Sequence, residues 1–436
     1  MNLNELFGST FDCPCGRRHQ IVPRRVVLAD DAIAQMPAIC AEVAGGRRAA
    51  VLVDVRTRAA AGAAVTHALI GAGWQVSEVI ISDPPVGSPV CDDVTHDWLT
   101  ERVKPADLIV PVGSGVICDL GKWLAFDREL PFVPFATAAS MNGYGSGNVA
   151  PTIAGLKTLF RAVPPPAAAS SLPVLCGAPP DMTTAGLGDA LARSISSADW
   201  YLNHVLFGDY YCQRCVDMLS EIEPLYVSRP AALAAGDREA MAGLFMVLMA
   251  AGPVMTLAGS SAPASGGEHL VSHTLDMMSS LDDGPHDLHG RQVGMGALLC
   301  AEVYRRVLAV NSPELRPPAE TIDHPFWGRL AGATAEQYAQ KLPRLRQVAE
   351  KLSAGGVWDD LRSKLAAITR PPQAMADCLR AAGGAFRAEH LGCDRKRLLD
   401  AFVHAHQARA RFTILDLAGL MGLMPQAARD IIEQWA

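Results

Sequence analysis

The residues with the clearest chemical promise lie between positions 265 and 290. The stretch SGGEHLVSHTLDMM (265–278) sets His269 and His273 four residues apart, so on a helix both imidazoles project from one face. LHG (288–290) then brings His289 to the head of another apolar run, GRQVGMGALLCAEV. Two or three ligands from separate segments leave a coordination position open, as catalytic metal sites do. Histidines spaced by four also serve as ordinary core residues of a buried helix, and spacing alone does not separate the two uses.

A second chemical feature is ADLIVPVGSG, an apolar strand running into VICDLGKWLAFD, a helix. Gly113, Ser114 and Gly115 fill the turn, with Val116 and Ile117 opening the helix. Backbone N–H groups and the positive helix end there suit a pyrophosphate, although the full GxGxxG spacing is missing. FATAASMNGYGSG (135–147) follows the next strand. Its small residues allow close backbone approach to a ligand, and Thr137, Ser140 and Ser146 offer hydroxyls. Asp54 closes an earlier strand, where a carboxylate accepts from ribose hydroxyls and disfavours a 2′-phosphate; Arg56 and Arg58 blur that preference for NAD over NADP.

These features need a scaffold. The first part alternates strand and helix patterns: strands at 24–30, 49–55, 74–82, 107–112 and 131–137, with helices at 31–44, 57–73, 92–103 and 116–127. That alternation argues for a parallel sheet covered on both faces, with ligands at the carboxyl ends of its strands. VPPPAAASSLPVLCG reads as a loop. From residue 181 strand patterns fade into helices, the first spanning 185–207 with Asp189 in its first turn, where a carboxylate is commonly just a dipole partner. The expected division is an α/β domain over 1–180 and an all-helical domain over 181–436, since 436 residues exceed one ordinary core.

Composition narrows the function. A net charge of −7 gives no support to a nucleic-acid surface. No secretory signal is recognisable in MNLNELFGST, and the uncharged stretch 240–267 contains Gly243, Gly252 and Pro253, which suits a buried helix better than a membrane span. Eleven cysteines are scattered. A zinc site shared between the close pairs, Cys13/Cys15 and Cys212/Cys215, would lack the usual overall spacing and any sign of proximity in the sequence, so reduced thiols in a cytoplasmic protein are expected.

Taken in order, GSGVICDLGK, PFVPFATAASMNGYGS, AGLGDALAR, SGGEHLVSH and LHGRQVG resemble the sn-glycerol-1-phosphate dehydrogenases. These belong to the superfamily of metal-dependent polyol and alcohol dehydrogenases and dehydroquinate synthases. The resemblance implies a Rossmann-like, dehydroquinate synthase-like α/β domain, a helical domain and a homodimer. It implies metal ligation by Asp189, His269 and His289, with catalysis resting on these three and His273. Substrate contacts would come from His273, Asp189 and position 142. Dinucleotide contacts map to Asp54, Gly113–Ile117, Thr137, Ala138, Ala139, Ser140 and Ser146. The family's usual TAPSMDGY reads TAASMNGY here, with Asn142 in place of a substrate-contacting Asp.

One carboxylate and two imidazoles suit Zn2+, with Ni2+ and Fe2+ as alternatives. The implied reaction is hydride transfer between NAD or NADP and a small polyol or polyol phosphate, foremost sn-glycerol 1-phosphate and dihydroxyacetone phosphate. Lys157 and Arg193 are candidates for a substrate phosphate. A cyclase or lyase of the dehydroquinate-synthase type, using NAD transiently, or a dehydrogenase for unphosphorylated glycerol would share the same parts.

Overall fold

The computed structural model describes residues 6–84, 87–284 and 286–436. By internal contacts the chain divides into Met1–Gly186 with Asp217–Ser260, and Leu187–Val216 with Ser261–Ala436. Against the expected break at 180, the segment 217–260 goes with the first unit, and the helix carrying Asp189 runs across residue 186.

The first unit opens with a short antiparallel hairpin, β1 (Thr10–Asp12) and β2 (Arg18–Gln20). β3 (Arg25–Leu28), β4 (Arg48–Asp54), β5 (Gln75–Ile81), β6 (Leu108–Gly113) and β7 (Phe135–Ala136) follow. Next come two small antiparallel pairs: β8 (Asn148–Val149) with β11 (Phe160–Arg161), and β9 (Thr152–Ile153) with β10 (Leu156–Lys157). β12 (Ala167–Ser170) returns to the main sheet. That sheet has the order β3-β12-β7-β6-β4-β5, with every pairing parallel.

Side-chain alternation along β4 shows why both faces are covered. Ala49, Val51 and Val53 pack with Met36 and Ile39 of α1 (Ala32–Val43) and Val65 and Leu69 of α2 (Ala63–Gly71). Ala50 and Leu52 point the other way, toward Leu99 of α3 (Asp93–Arg102) and Leu120 and Leu124 of α4 (Gly115–Asp127). The chain leaves β4 for β5 on one side and returns to β6 on the other. In open α/β sheets dinucleotides bind at the carboxyl ends of the strands where such a reversal occurs, here β4 and β6. Asp54 and Gly113 end those two strands.

Two expectations need correction. Only Phe135–Ala136 of the expected strand 131–137 is regular strand, because Pro131 and Pro134 cannot donate to a ladder; Val133 still donates to the Ile109 carbonyl at 3.0 Å. The segment after Pro166, read as loop, contains β12. Ala167–Ser170 carries no β-branched residue, yet all four residues are buried between β3 and β7. Tertiary packing overrides weak strand propensity there.

Five of the helices that follow are α5 (Pro180–Leu191), α6 (Arg193–Phe207), α7 (Arg238–Ala258), α8 (Gly267–Asp282) and α9 (His289–Leu308). The single helix expected over 185–207 is two, parted at Ala192. α7 is long and apolar enough to cross a membrane by length and composition, but most of it is buried within the protein. Among the described residues of the second unit there is no strand.

α7 meets the loop after β7 at paired glycines. A Cβ on Gly252 would overlap the backbone of Gly145 and Ser146, and one on Gly145 would lie 2.7 Å from the Met249 carbonyl oxygen. Gly252→Ala should therefore destabilise the protein by about 1–3 kcal/mol, the range for overpacking a close-packed site. Urea unfolding followed by circular dichroism measures this as a lower midpoint with an unchanged slope.

Candidate functional site

Asp189, His269 and His289 each offer one ligand atom, and these atoms lie within 4.8 Å of one another. All three belong to the second unit. Asp189 and His269 are almost wholly buried, and His289 is half-buried. The group converges because of glycines. A Cβ on Gly188 would overlap the carbonyl oxygen of Gly290 and sit 3.1 Å from the Gly294 Cα. With no Cβ in the way, the end of α5 presses against the first turn of α9, which places Asp189 beside His289.

The helix break at Ala192 changes the meaning of Asp189. It stands in the last turn of α5 rather than a first turn, where the helix dipole disfavours a carboxylate. Dipole partnership therefore does not account for it. A buried carboxylate there needs a cationic partner, and His269 Nε2 lies 3.4 Å from its Oδ1.

Each imidazole is oriented through Nδ1. Glu268 Oε1 lies 2.8 Å from Nδ1 of His269 and also accepts the Gly266 N–H at 2.6 Å. Ser272 Oγ lies 3.1 Å from Nδ1 of His289 and 2.8 Å from the Gln292 side-chain amide. With Nδ1 engaged, Nε2 is the nitrogen left for a metal, the outer-shell pattern that fixes tautomer and ring angle in metal sites. Burial works against charge on His269, but hydrogen bonding to Asp189 and Glu268 outweighs it and lifts the imidazole to about 9. A dication would take the place of that proton.

Glu268 is itself held in a buried polar network. Asp199 accepts from Tyr304 OH at 2.6 Å, from the Gly267 N–H at 2.7 Å and from the Ile414 N–H at 2.8 Å. Burial, then the nearby charge of Glu268, pushes Asp199 up to about 7 against those donors. Burial lowers the Arg411 guanidinium, while Glu268 and Asp199 favour its charge; it donates to the Ser265 carbonyl and, at 2.9 Å, to Ser261 Oγ. Sequence reasoning missed Glu268, Asp199, Tyr304 and Arg411. Of these, only Glu268, adjacent to His269 in EHLVSH, carried a signal that could have been read.

His273 lies one turn after His269, buried, its ring 5.8 Å from that of His289 and nearly parallel to it. Its nitrogens are outside the three-ligand group. Arg193 is buried at the start of α6, four residues after Asp189.

The first unit holds the dinucleotide candidates. Gly113 closes β6, where a Cβ would lie 2.6 Å from that of Ile117, so the turn into α4 demands glycine. Ser114 caps α4 without a side-chain hydrogen bond, while Gly115, Val116 and Ile117 form its first turn. The Thr137 N–H donates to the Gly113 carbonyl at 3.1 Å, joining the two strand ends. Ala138 and Ala139 are buried; Tyr144 OH donates to the Ala138 carbonyl at 2.7 Å and sits 3.0 Å from Ser140 Oγ. Ser146 Oγ donates to the Gly143 carbonyl at 3.2 Å.

The fully buried Lys122, which sequence reasoning passed over, fastens this loop. Its ammonium donates to Asp119, to the Gly143 carbonyl at 2.9 Å and to the Asn148 carbonyl at 2.8 Å. Asn142 lies within the span that it clamps. Asp54 accepts the Thr57 N–H at 2.7 Å through one oxygen and pairs with Arg56 at 3.1 Å through the other, while Arg56 also binds Asp83. The Asp54 carboxylate, the candidate for ribose, is thus partly engaged and partly neutralised.

Glu268→Gln should weaken divalent-metal binding about 10–100-fold, the usual cost of losing an outer-shell partner. Gly188→Ala should weaken it as well, by driving α5 from α9. Competition titration against a chromogenic chelator reads both; unchanged affinity in the pair would mean that neither feature shapes the metal site.

Comparison with known proteins identifies the family. Residues 27–179 match the family model for iron-containing alcohol dehydrogenases. A glycerol-1-phosphate dehydrogenase (NAD(P)+) of Bacillus licheniformis is 28% identical over 415 residues, spanning 95% of this chain and 93% of the relative. The enzyme of that name from Thermococcus kodakarensis is 30% identical over 285 residues, 65% of this chain and 78% of the relative. Among solved structures, glycerol dehydrogenase from Schizosaccharomyces pombe superposes with a TM-score of 0.60 at 15% identity, covering 98% of this chain and 94% of the other. A 1,3-propanediol oxidoreductase gives 0.61 at 17% identity, covering 95% and 98%. At such identities the structures speak for the fold alone. The sequence relatives speak for more: the chain is an NAD(P)-dependent, metal-dependent oxidoreductase and belongs to the glycerol-1-phosphate dehydrogenase family.

Proposed function

We propose that the protein interconverts dihydroxyacetone phosphate and sn-glycerol 1-phosphate, with a divalent ion held by Asp189, His269 and His289. The observation that carries this reading is the convergence of one carboxylate and two Nδ1-anchored imidazoles, in a chain similar over 95% of its length to an enzyme named for that substrate. The donor set fits Zn2+, Ni2+ or Fe2+. When bound, such an ion supplies Lewis acidity to the substrate's carbonyl or hydroxyl oxygen, and the nicotinamide supplies or accepts hydride.

The chain's own residues do the positioning. Glu268 keeps a proton on Nδ1 of His269, so that Nε2 stays a lone-pair donor. Ser272 does the same for His289. His273 faces the substrate beside this group and holds the proton that ketone reduction consumes. The turn Gly113–Ile117 and the loop residues Thr137–Ser140 and Ser146 receive the dinucleotide, with Asp54 toward its ribose. Pairing of Asp54 with Arg56 weakens repulsion of a 2′-phosphate, so both NADH and NADPH are accepted. Arg193 and Lys157 are candidates for the substrate phosphate. Asn142 hydrogen-bonds substrate without the charge that the family's Asp brings. The enzyme works as a cytoplasmic homodimer.

The test is NADH and NADPH oxidation by metal-reconstituted protein, with dihydroxyacetone phosphate and dihydroxyacetone offered separately. Stoichiometric oxidation with the phosphorylated ketone, abolished in His269→Ala together with the metal held by Asp189, His269 and His289, is the expected outcome. Asn142→Asp should raise kcat/KM for dihydroxyacetone phosphate several-fold. Turnover confined to unphosphorylated ketones, or substrate conversion with no net change in NADH, would overturn the assignment.

A further inference from the structure

The N-terminal hairpin contains a second constellation that the dehydrogenase chemistry does not use. Cys13, Cys15 and His19, from FDCPCGRRHQ, each offer a ligand atom, all within 4.8 Å of one another. The local backbone explains the convergence. The Cys13 N–H donates to the Arg17 carbonyl and the Gly16 N–H to the Cys13 carbonyl, both at 3.0 Å. Gly16 has φ +84°, which lets the chain reverse tightly just after Cys15. Pairing of Phe11 with His19 across the ladder puts the imidazole one step below that turn, its ring edge-to-face with Phe11 at 5.5 Å. Cys15 Sγ then lies 3.3 Å from His19 Nε2.

That separation is close to the edge of a zinc tetrahedron. With Zn–S about 2.3 Å and Zn–N about 2.05 Å, neighbouring sulfur and nitrogen ligands stand about 3.6 Å apart. The donors are also shielded, with His19 and Cys13 buried and Cys15 half-buried. The hairpin has only three residues in each strand, too few to hold such a turn by ladder hydrogen bonds alone.

We propose that Cys13, Cys15 and His19 bind a Zn2+ ion, additional to the ion at Asp189, His269 and His289. Binding converts both thiols to thiolates and releases their two protons to solvent. The remaining coordination position is filled by water or another donor. The ion cross-links the turn to the strand below it, which the short ladder by itself does not do. The thiols, expected from sequence to be ordinary reduced cysteines, become ligands because His19 supplies the third donor at a spacing outside the common zinc patterns.

Cobalt substitution separates the two centres, because the Asp/His/His group contains no sulfur. The full chain carrying His269→Ala, loaded with Co2+, should retain near-ultraviolet sulfur-to-cobalt charge-transfer absorption, and adding Cys13→Ser and Cys15→Ser should remove it. Elemental analysis should find one equivalent of zinc fewer in C13S/C15S than in the unmutated chain, and a loss of the same size in His19→Ala. Should the serine variant fail to fold, the unmutated chain still answers. Chelator treatment should speed alkylation of Cys13 and Cys15 several-fold, located by peptide mass mapping. Absence of sulfur-to-cobalt absorption in the His269→Ala protein, or alkylation indifferent to chelator, would overturn the proposal.

Discussion

The close approach of α5 to α9 is the constraint on which the metal group depends. Gly188 meets Gly290 and Gly294 with backbone against backbone, and the residues next in sequence to Gly188 and Gly290 are the proposed ligands Asp189 and His289. Third-ligand placement follows from the packing of α8 against α9, where a Cβ on Gly296 would overlap the Glu268 carbonyl oxygen. Glycine at these positions is therefore part of the site. Side chains there would overlap the facing backbone and push the helices apart.

Around that geometry the protein arranges charge. Three acidic groups, Asp189, Glu268 and Asp199, are buried near a single histidine, with Arg411 behind them. Burying so much negative charge is unfavourable unless it is compensated. Tyr304 and the backbone N–H groups of Gly266, Gly267 and Ile414 supply part of the compensation. The raised affinity of His269 for a proton is the sign that more positive charge is wanted at Nε2. A dication would satisfy the same field while leaving Nδ1 bonded to Glu268.

Much of this was legible in the sequence. The β/α alternation, the turn at Gly113–Ile117 and the EHLVSH and LHG strings led to the parallel sheet and to His269 and His289. What failed to show did so for physical reasons. Ala167–Ser170 has no strand propensity and is a strand only because neighbouring strands enclose it. Asp189 looked like a helix-start residue because AGLGDALARSISSADWYLNHVLF reads as one helix, and a break at Ala192 carries no proline or glycine to announce it. Asp199, Tyr304 and Arg411 come to the surroundings of Glu268 from segments far apart in the chain, and a single sequence does not indicate such proximity. Nothing in the sequence marks Lys122 on α4, yet its ammonium is enclosed by the loop that it fastens.

The most direct test of the central claim is an anomalous-difference map from crystals of the nickel-loaded protein. It should place a peak bonded to Nε2 of His269, Nε2 of His289 and a carboxylate oxygen of Asp189, with His273 outside the coordination sphere and Glu268 on Nδ1. No peak among these three side chains, or coordination through His273 in place of Asp189, would contradict it.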